Sequence, residues 1–423
     1  MIKGYYPALS RAVVILLCGF SGIAIADAPR FSGGHAKYQL RSIQLPEQSL
    51  IRDFTTNPMF DHNGETRLKF DWQGERVSLQ ADYQLISLQG DSVSLFNHLP
   101  GQVLLPNPQI QDDHRYFNLT HVLSDQDDGV LLHRLDRLSI DFSSDRVVGR
   151  VGRQAISWGN GLIYTPMDIL NPFDPAAVDK EYKTGDDMAY GQFLLDNGDD
   201  LQGVWVARRD LSGSLTHAVT STAAKYHGFV SEFEYDLLIA EHYDDLILGL
   251  GGLLNVGGAI IRGDFTLTET PTQTVPSLVA NYSYSWVANG HNVSGILEYF
   301  YNGFGQQDGQ YTREALAENG DLLKRYARGE LFTLGRQYIA ASAMVEISPL
   351  WLLTPNVFFN ISDHSVFVQL VSSYDFKQNW QFLTALGVPV GASGSEFGGI
   401  DAGVDGKTLA TGPSLFMQLA WYF

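Results

Sequence analysis

The sequence predicts an all-β protein, specifically a transmembrane antiparallel up-and-down β-barrel of about 16–18 strands. Three observations predict this fold: an apolar segment near the N-terminus, many short stretches in which apolar and polar residues alternate, and short turns that alternate with long connections. Aromatic residues make up 12% of the chain, and 42 of its 423 residues are glycine. Such a composition suits numerous strands and turns.

The N-terminal segment is typical of a secretory signal peptide. Basic residues precede the stretch 12–25, which is rich in apolar and small residues, and residues 24–26 read Ala-Ile-Ala, an A-x-A cleavage site. The stretch is too short for a transmembrane helix. The sequence therefore predicts a signal peptide over 1–26 and a single barrel domain over 27–423.

Cysteine content and charge exclude several classes of function. The single cysteine, Cys18, lies in the predicted signal peptide, so we expect a mature chain without disulfides or thiol chemistry. The full chain has 28 basic and 47 acidic side chains, a formal net charge of −19. So acidic a chain is not expected to bind nucleic acid through its general field. We expect no cofactor and no metal.

Alternation at a period of two residues is clearest at the C-terminus. Along residues 414–423, every second residue is apolar while the opposite face is mixed, as expected where lipid lies on one side and a lumen on the other. The same pattern recurs in stretches 77–85, 137–142, 281–286, 292–301 and 356–362. Since a soluble sandwich gives the same period, the signal peptide and the aromatic strand ends decide for the barrel.

Turn signals divide the chain into strands. Short turns are predicted at residues 73–74, 143–145, 197–198, 289–290 and 377–378. Long connections are predicted at 87–130, 159–187, 303–329 and 389–413. Short turns on one rim and long loops on the other are typical of outer-membrane barrels, and both termini on one rim require an even strand number. The stretch 229–265 is compatible with two strands or four.

The terminal Phe423 resembles the assembly signal of bacterial outer-membrane barrels. This resemblance implies that the barrel-assembly machinery recognises the chain through Phe423. It also implies the outer membrane of a Gram-negative bacterium as the location, with membrane lipid and lipopolysaccharide as neighbours. The sequence leaves the choice between monomer and trimer open.

Residues 147–180 are the part of the chain richest in motif residues, and they carry a second resemblance to a known family. Gly152-Arg153-Gln154 followed by Trp158-Gly159 resembles a strand signature, GRQ-x-x-x-WG, of outer-membrane porin-like barrels that include alginate-export channels. The continuation Met-Asp-x-x-Asn-Pro, which contains Asn171, departs from the alginate-export pattern and looks closer to uncharacterised porin-like relatives. A similar Gly-Arg-Gln opens a later strand at residues 335–337.

This region also holds the candidate pore residues. Five arginines of two neighbouring predicted strands form a basic sector in this acidic protein: Arg134, Arg137, Arg146, Arg150 and Arg153. Because arginine offers a rigid fork of donors suited to carboxylates, this sector favours anionic solutes. We expect the loop 159–187 to fold inward as a constriction, with Asp168 and Asp174 facing the arginines. The candidate pore or solute-binding residues are Arg137, Arg150, Arg153, Gln154, Trp158, Asp168, Asn171 and Arg336.

Two points qualify this basic sector. Arg150 and Arg153 are three residues apart, so a regular strand cannot place both inside; a bulge, expected at Gly152, or a rim position for one of them is required. An equally weighted interpretation holds that Arg153 and an acidic partner only brace the loop, because buried charges are commonly paired for structural reasons.

The predicted function is a porin-like channel for passive passage of hydrophilic solutes, including anionic solutes or sugar acids. One alternative is a plugged structural or surface-assembly barrel that anchors a polymer or a partner protein. A second is a barrel enzyme such as a lipid hydrolase, but no enzyme motif is complete: the stretch 391–395 lacks the final glycine of a nucleophile elbow. A cluster comprising Glu232, Glu234, Glu241, His242 and Asp245 has no distinctive metal-ligand spacing.

Overall fold

The structure, a computed structural model, describes residues 29–98, 112–404 and 406–423. The predicted signal peptide lies outside the described residues. The strands, in chain order, are β1 Arg30–Ile43, β2 Met59–Gln73, β3 Val77–Gly90, β4 Thr120–Gln126, β5 Gly129–Ser143, β6 Val147–Gln154, β7 Asp186–Leu194, β8 Asp200–Val206, β9 Ser221–Val230, β10 Phe233–His242, β11 Asp245–Val256, β12 Ala259–Glu269, β13 Thr274–Ala288, β14 His291–Tyr301, β15 Gln337–Ser348, β16 Trp351–Asn360, β17 Val366–Lys377, β18 Trp380–Val390, β19 Ile400–Asp401, β20 Thr408–Leu409 and β21 Ser414–Tyr422.

Within the described residues, three short α-helices lie in the connections: α1 Asp91–His98, α2 Arg313–Glu318 and α3 Gly320–Ala327. None of the helices in the described part of the chain is long and apolar enough to cross a membrane.

Eighteen of these strands form one closed antiparallel sheet. Each pairs with its neighbours in chain order, and β1 closes the ring by pairing with β21, as in the register Tyr38↔Leu419. The short strand β4 pairs with the start of β5, and β19 pairs with β20 as a separate hairpin. The predicted up-and-down barrel is therefore confirmed, with an even strand number at the top of the expected range.

The predicted alternation is observed along the wall. On β21, Leu419 and Trp421 are 38% and 42% exposed, whereas Gln418 and Ala420 between and beside them are buried. Leu138, Tyr282, Trp286 and Val357 are likewise exposed, on the faces predicted to be apolar. Apolar side chains on the outside and polar ones within are typical of a barrel surrounded by lipid.

The connections differ sharply in length between the two rims. Both ends of the sheet and the short turns lie at one rim, which we call the short-turn rim; the other is the long-loop rim. All five predicted turns fall between successive strands or at their ends. The stretch 229–265 contains β10, β11 and parts of β9 and β12, so it holds two complete strands. The longest connections at the long-loop rim run over residues 91–128, 155–185, 302–336 and 391–413.

The predicted bulge at Gly152 is wrong in its position. The pairing of β6 with β5 and with β7 is unbroken, and the extra residue lies on β5 instead, where Asp82 pairs with Arg137 but Tyr83 pairs with Leu135. Gly152 changes the direction of β6 in another way. Its φ of +126° is a conformation open to glycine, and an added Cβ would lie 2.1 Å from the carbonyl oxygen of Leu138.

Candidate site in the barrel lumen

The connection between β6 and β7, residues 155–185, runs into the lumen and contacts side chains from much of the inner wall. We call it the inward segment. Its backbone is held by two carboxylates of the wall. Asp264 on β12 accepts from the backbone N–H groups of Asn160 and Gly161 at 2.6 and 3.1 Å. Glu298 on β14 accepts from those of residues 162–164, the shortest at 2.6 Å from Tyr164. These five backbone N–H groups are therefore satisfied by the wall itself.

One side of the inward segment is packed as a hydrophobic core inside the barrel. Trp158, Met167 and Leu170 are 6%, 0% and 3% exposed. They pack against inward-facing apolar side chains of β7 to β11, namely Met188, Val204, Val206, Ala223, Leu238, Ala240 and Ile247. Close packing of this kind excludes water, so this side of the lumen is filled.

Aromatic contacts fix the next part of the inward segment. The ring of Tyr164 stacks on Phe300 of β14, with centroids 4.7 Å apart, and lies 5.6 Å from Tyr338 of β15. Further along, the side chain of Gln369 on β17 donates to the carbonyl oxygen of Ala176 at 2.8 Å. The segment thus follows the wall around the lumen.

The last part of the inward segment meets a charged wall. Lys37 of β1 lies 2.7 Å from carboxylate oxygens of both Asp179 and Glu181. The guanidinium of Arg67 on β2 lies over the ring of Tyr182, 3.9 Å from its centroid. We call the inward faces of β1, β2, β3 and β5 the polar sector, because charged and amide side chains dominate it.

Arg153 is held by the protein itself. It is 1% exposed, and its guanidinium donates to Asp187 at 2.9 Å, to Asp112 at 2.6 Å and to the carbonyl oxygen of Phe117 at 2.6 Å. These contacts join the end of β6 to the start of β7 and to the chain that precedes β4. Its donors are directed to protein acceptors rather than to the lumen.

Three more predicted residues are engaged in the wall. The side chain of Gln154 donates to the carbonyl oxygen of Met188 at 3.1 Å. Arg150 pairs with Asp141 of the neighbouring strand. Arg137, displaced inward with Asp136 by the bulge on β5, donates to that carboxylate at 2.7 Å.

The remaining predicted residues do not form one ring with the arginines. The indole of Trp158 donates to Gln202 at 2.8 Å. The amide of Asn171 donates to Asp186 at 3.2 Å. Arg336 donates to the carbonyl oxygen of Gly305 at 3.0 Å, within the long connection 302–336 at the opposite side of the barrel.

The expectation that Asp168 and Asp174 face the arginines is wrong. Asp168 pairs with Lys183, whose ammonium nitrogen lies 2.6 and 2.7 Å from the two carboxylate oxygens. Burial raises the pKa of Asp168 to about 6, although the neighbouring Lys183 acts to lower it. Asp174 accepts from the backbone N–H of Ala176, two residues on. Both acids stabilise the inward segment locally, because turn-forming aspartates find partners nearby before they reach the wall.

Sequence reasoning missed most of the cavity that the polar sector forms with the inward segment. Its volume is about 270 Å³, and among its lining residues are Lys37, Gln39, Arg67, Gln84, Arg134 and Tyr182. The available signal was the period of two: polar residues recur at alternate positions of β1 and β2 as they do on β3. The motif and the long connection that follow Arg153 instead favoured the residues around Arg153 as the predicted site.

One buried arrangement bears on the enzyme alternative. The hydroxyl of Ser221 lies 2.7 Å from Nδ1 of His242, whose Nε2 lies 3.1 Å from Glu330. However, Ser221 is 2% exposed, and Arg208 donates to its hydroxyl at 2.7 Å. The oxygen is therefore enclosed by its own partners, and the set joins the wall to the connection 302–336.

The acidic cluster considered from the sequence does not converge. Glu241 lies 3.3 Å from His217, whereas Asp245 pairs with Arg325 of α3. His217, Glu241 and Asp244 form an exposed group at the long-loop rim, where carboxylate oxygens lie 3.3 and 3.5 Å from the two imidazole nitrogens.

Comparisons with known proteins give the fold but no family. No protein-family model matches the chain, and no curated protein matches it either. Among solved structures, Wzi of Escherichia coli, an outer-membrane carbohydrate-binding β-barrel involved in group 1 capsule assembly, has a TM-score of 0.52 at 9% identity, covering 98% of this chain and 89% of its own.

Two other solved structures score lower. Acinetobacter baumannii OccAB3 has a TM-score of 0.48 at 10% identity, covering 92% of this chain and 99% of its own. A mutant of the Rh. blastica porin has a TM-score of 0.44 at 7% identity, covering 94% and 100%. At such identities, the likeness to Wzi shows the fold alone: this chain has the fold of outer-membrane β-barrels, porins among them.

Proposed function

We propose that the protein is a narrow porin-like channel of the bacterial outer membrane, through which small hydrophilic solutes pass along the polar sector. The observation that carries this proposal is the asymmetry of the lumen. The inward segment packs tightly on the apolar wall of β7 to β11 and leaves a charged, partly open face at β1 to β5. Charged side chains on the inner wall are typical of a lumen that holds water.

The membrane environment follows from the outer surface. Apolar side chains project from the strands around the barrel, with aromatic residues such as Trp351 and Trp421 near strand ends. With the short-turn rim toward the periplasm, the long loops face the outside, where lipopolysaccharide is the natural neighbour. Recognition of Phe423 by the barrel-assembly machinery remains part of this proposal.

Liposome swelling tests the proposal. We expect vesicles containing the purified protein to swell in L-arabinose and D-glucose and to swell more slowly as the solute grows to raffinose, because the inward segment narrows the lumen. Protein-free vesicles and vesicles with heat-denatured protein serve as controls. Absence of swelling with every solute would contradict passage.

A second candidate is a closed barrel that binds carbohydrate at the surface of the cell. Tyr311, Leu316 and Leu322 of the connection 302–336 are buried in a cluster at the long-loop rim, and α3 is tied to β11 by Arg325 and Asp245. This connection also lines a cavity of about 80 Å³ together with the inward segment, so it covers that side of the mouth. Wzi, whose fold this chain resembles, is a barrel that binds carbohydrate, and this likeness suggests carbohydrate as the ligand of a closed barrel.

The same vesicles distinguish the two candidates. A closed binder predicts no swelling, together with saturable binding of an oligosaccharide such as maltohexaose or hexagalacturonate to the detergent-solubilised protein. A channel predicts swelling with or without such binding.

A further inference from the structure

The cavity of the polar sector contains one cation that has no carboxylate at ion-pair distance among the described residues. Its other cations are paired with carboxylates: Lys37 with Asp179 and Glu181, Arg67 with Asp82 and Asp136, and Lys183 with Asp168. Arg134, on β5, has no carboxylate within ion-pair distance among the described residues, and its Nε is buried without a hydrogen-bond partner there. A guanidinium so placed is costly unless something pairs with it.

The carboxylates around the cavity lead to the same residue. Four cationic side chains and three carboxylates line it, and three further carboxylates outside the lining, Asp82, Asp168 and Glu181, pair with the other three cations. The nearest carboxylate on the same face of β5, Asp136, accepts from both Arg67 and Arg137. Arg134 is therefore attracted by Asp136, Asp112 and Glu65 from beyond ion-pair distance and forms an ion pair with none of them.

The groups around Arg134 would suit hydroxyls. Gln84, its direct partner across β3 and β5, uses its amide N–H to donate to Glu65 at 2.8 Å. Gln39 donates in the same way to Gln418 at 2.8 Å. Both amides therefore keep carbonyl oxygens that can accept from a ligand, and Thr184 adds a hydroxyl to the lining.

We propose that this cavity is an anion subsite, in which Arg134 binds the carboxylate of a single hydroxylated monocarboxylate of sugar-acid size while Gln39 and Gln84 accept from its hydroxyls. Arginine matches a carboxylate with two parallel N–H donors. A volume of about 270 Å³ is far above what one water needs and suits one such molecule rather than a polymer chain. The inference deepens the proposed function and rests on it only for access of the solute to the lumen.

Isothermal titration of the detergent-solubilised protein tests the subsite, with D-gluconate as ligand and D-glucitol as the matched polyol without a carboxylate. We expect saturable binding of gluconate and none of glucitol. Arg134→Gln should weaken gluconate binding by roughly tenfold to a hundredfold, since a hydrogen-bonded charge is lost. Arg134→Lys should keep part of the affinity, because it retains the charge but not the fork.

Two further variants keep the test decisive. Gln84→Glu leaves Arg134 in place but gives it an internal carboxylate directly across the strand pair, so gluconate binding should be lost even if Arg134→Gln does not fold. Arg262→Gln removes an arginine of β12 that donates to Ser283 and does not line the cavity, so binding should be unchanged.

Gluconate binding that is unchanged in Arg134→Gln or Gln84→Glu would overturn the subsite, as would equal binding of glucitol or no binding by the wild type. Swelling with neutral sugars but no gluconate binding would leave the channel and remove the subsite. Gluconate binding without swelling would leave the subsite and remove the channel.

Discussion

Arg153 shows how a residue prominent in the sequence can be structural. Its guanidinium is buried against two carboxylates and a carbonyl oxygen that come from two separate parts of the chain, the start of β7 and the stretch before β4. The positive φ of Gly152 lets β6 run close to β5 just before it. Removing Arg153 leaves Asp187 buried without a cationic partner, whereas Asp112 keeps its pair with Arg115.

We therefore expect Arg153→Leu to lower the free energy of unfolding by about 3–5 kcal/mol. Arg146→Ala is the matched control, because Arg146 and its partner Asp196 are 58% and 79% exposed, and an exposed pair contributes only about 0–1 kcal/mol. Guanidinium titration in lipid vesicles, followed by tryptophan fluorescence, measures both. Equal stability of the two variants would show that the Arg153 cluster does not hold the wall together.

A second residue links the long-loop rim to pH. Glu396, in the connection 391–413, accepts from the hydroxyl of Tyr338 and from the amide of Asn360, and burial raises its pKa to about 7. The folded pKa lies above the ordinary value, so between pH 7 and about 4.5 the docked state binds more protons than the undocked state. Docking of this connection should strengthen as the pH falls through that window.

Hydrogen–deuterium exchange of residues 392–399 measures this effect. We expect higher protection factors at pH 5 than at pH 8 in the wild type, and little difference in Glu396→Gln, which cannot ionise. Protection that rises with pH, or a pH dependence retained in Glu396→Gln, would contradict the role assigned to this carboxyl.

Among the elements of the fold, the inward segment is the connection that occupies the lumen and is anchored to the wall. Glu298 anchors it through three consecutive backbone N–H groups, and Tyr164 packs on the wall immediately beyond. Its opposite end is held by the ion pairs of Lys37. A segment fixed at several points narrows the lumen without being a strand of the wall.

We expect Glu298→Ala to loosen the inward segment and raise the permeability of the barrel, because each hydrogen bond to a charged acceptor contributes about 1.5–3 kcal/mol. The rate of liposome swelling in D-glucose measures this. Glu346→Ala is the control, since Glu346 accepts from the amide of Asn292 near the short-turn rim. A rate unchanged in Glu298→Ala, with the barrel folded, would show that the segment does not limit passage.

The strands were predictable from the sequence, and most contacts of the lumen were not. On β21 the alternation of Leu419 and Gln418 is a local property, set by the period of the strand and readable without a structure. Asp168 pairs with Lys183, fifteen residues away in the same connection, and which of its charged residues meet depends on how the whole connection folds, which no local pattern reports. The bulge at Asp136 shows the same limit, because a single inserted residue on β5 changes which side chains face inward.

At the scale of the whole molecule, the outer surface is incompatible with water. Leu248, Leu250 and Leu297 are 45%, 56% and 55% exposed, and comparable side chains project from strands all around the barrel. Exposed apolar surface on this scale marks contact with an apolar environment.

The purified chain should therefore remain monodisperse only in detergent or lipid. On a cold SDS gel the unheated chain should migrate faster than the heated chain, because the unheated barrel stays compact. Size-exclusion chromatography with and without detergent provides the measurement. A monodisperse, folded protein in plain buffer would contradict the lipid-facing assignment.

Single-channel current in planar bilayers, recorded before and after addition of a water-soluble thiol reagent, is the decisive test of whether the sealed barrel conducts along its polar sector. On a Cys18→Ser background, Gln39→Cys places a thiol in the polar cavity, and Leu419→Cys places one on the lipid face of the adjoining strand. We expect a small steady current that the reagent reduces only in Gln39→Cys. No current in any variant, or a current that the reagent leaves unchanged in Gln39→Cys, would contradict it.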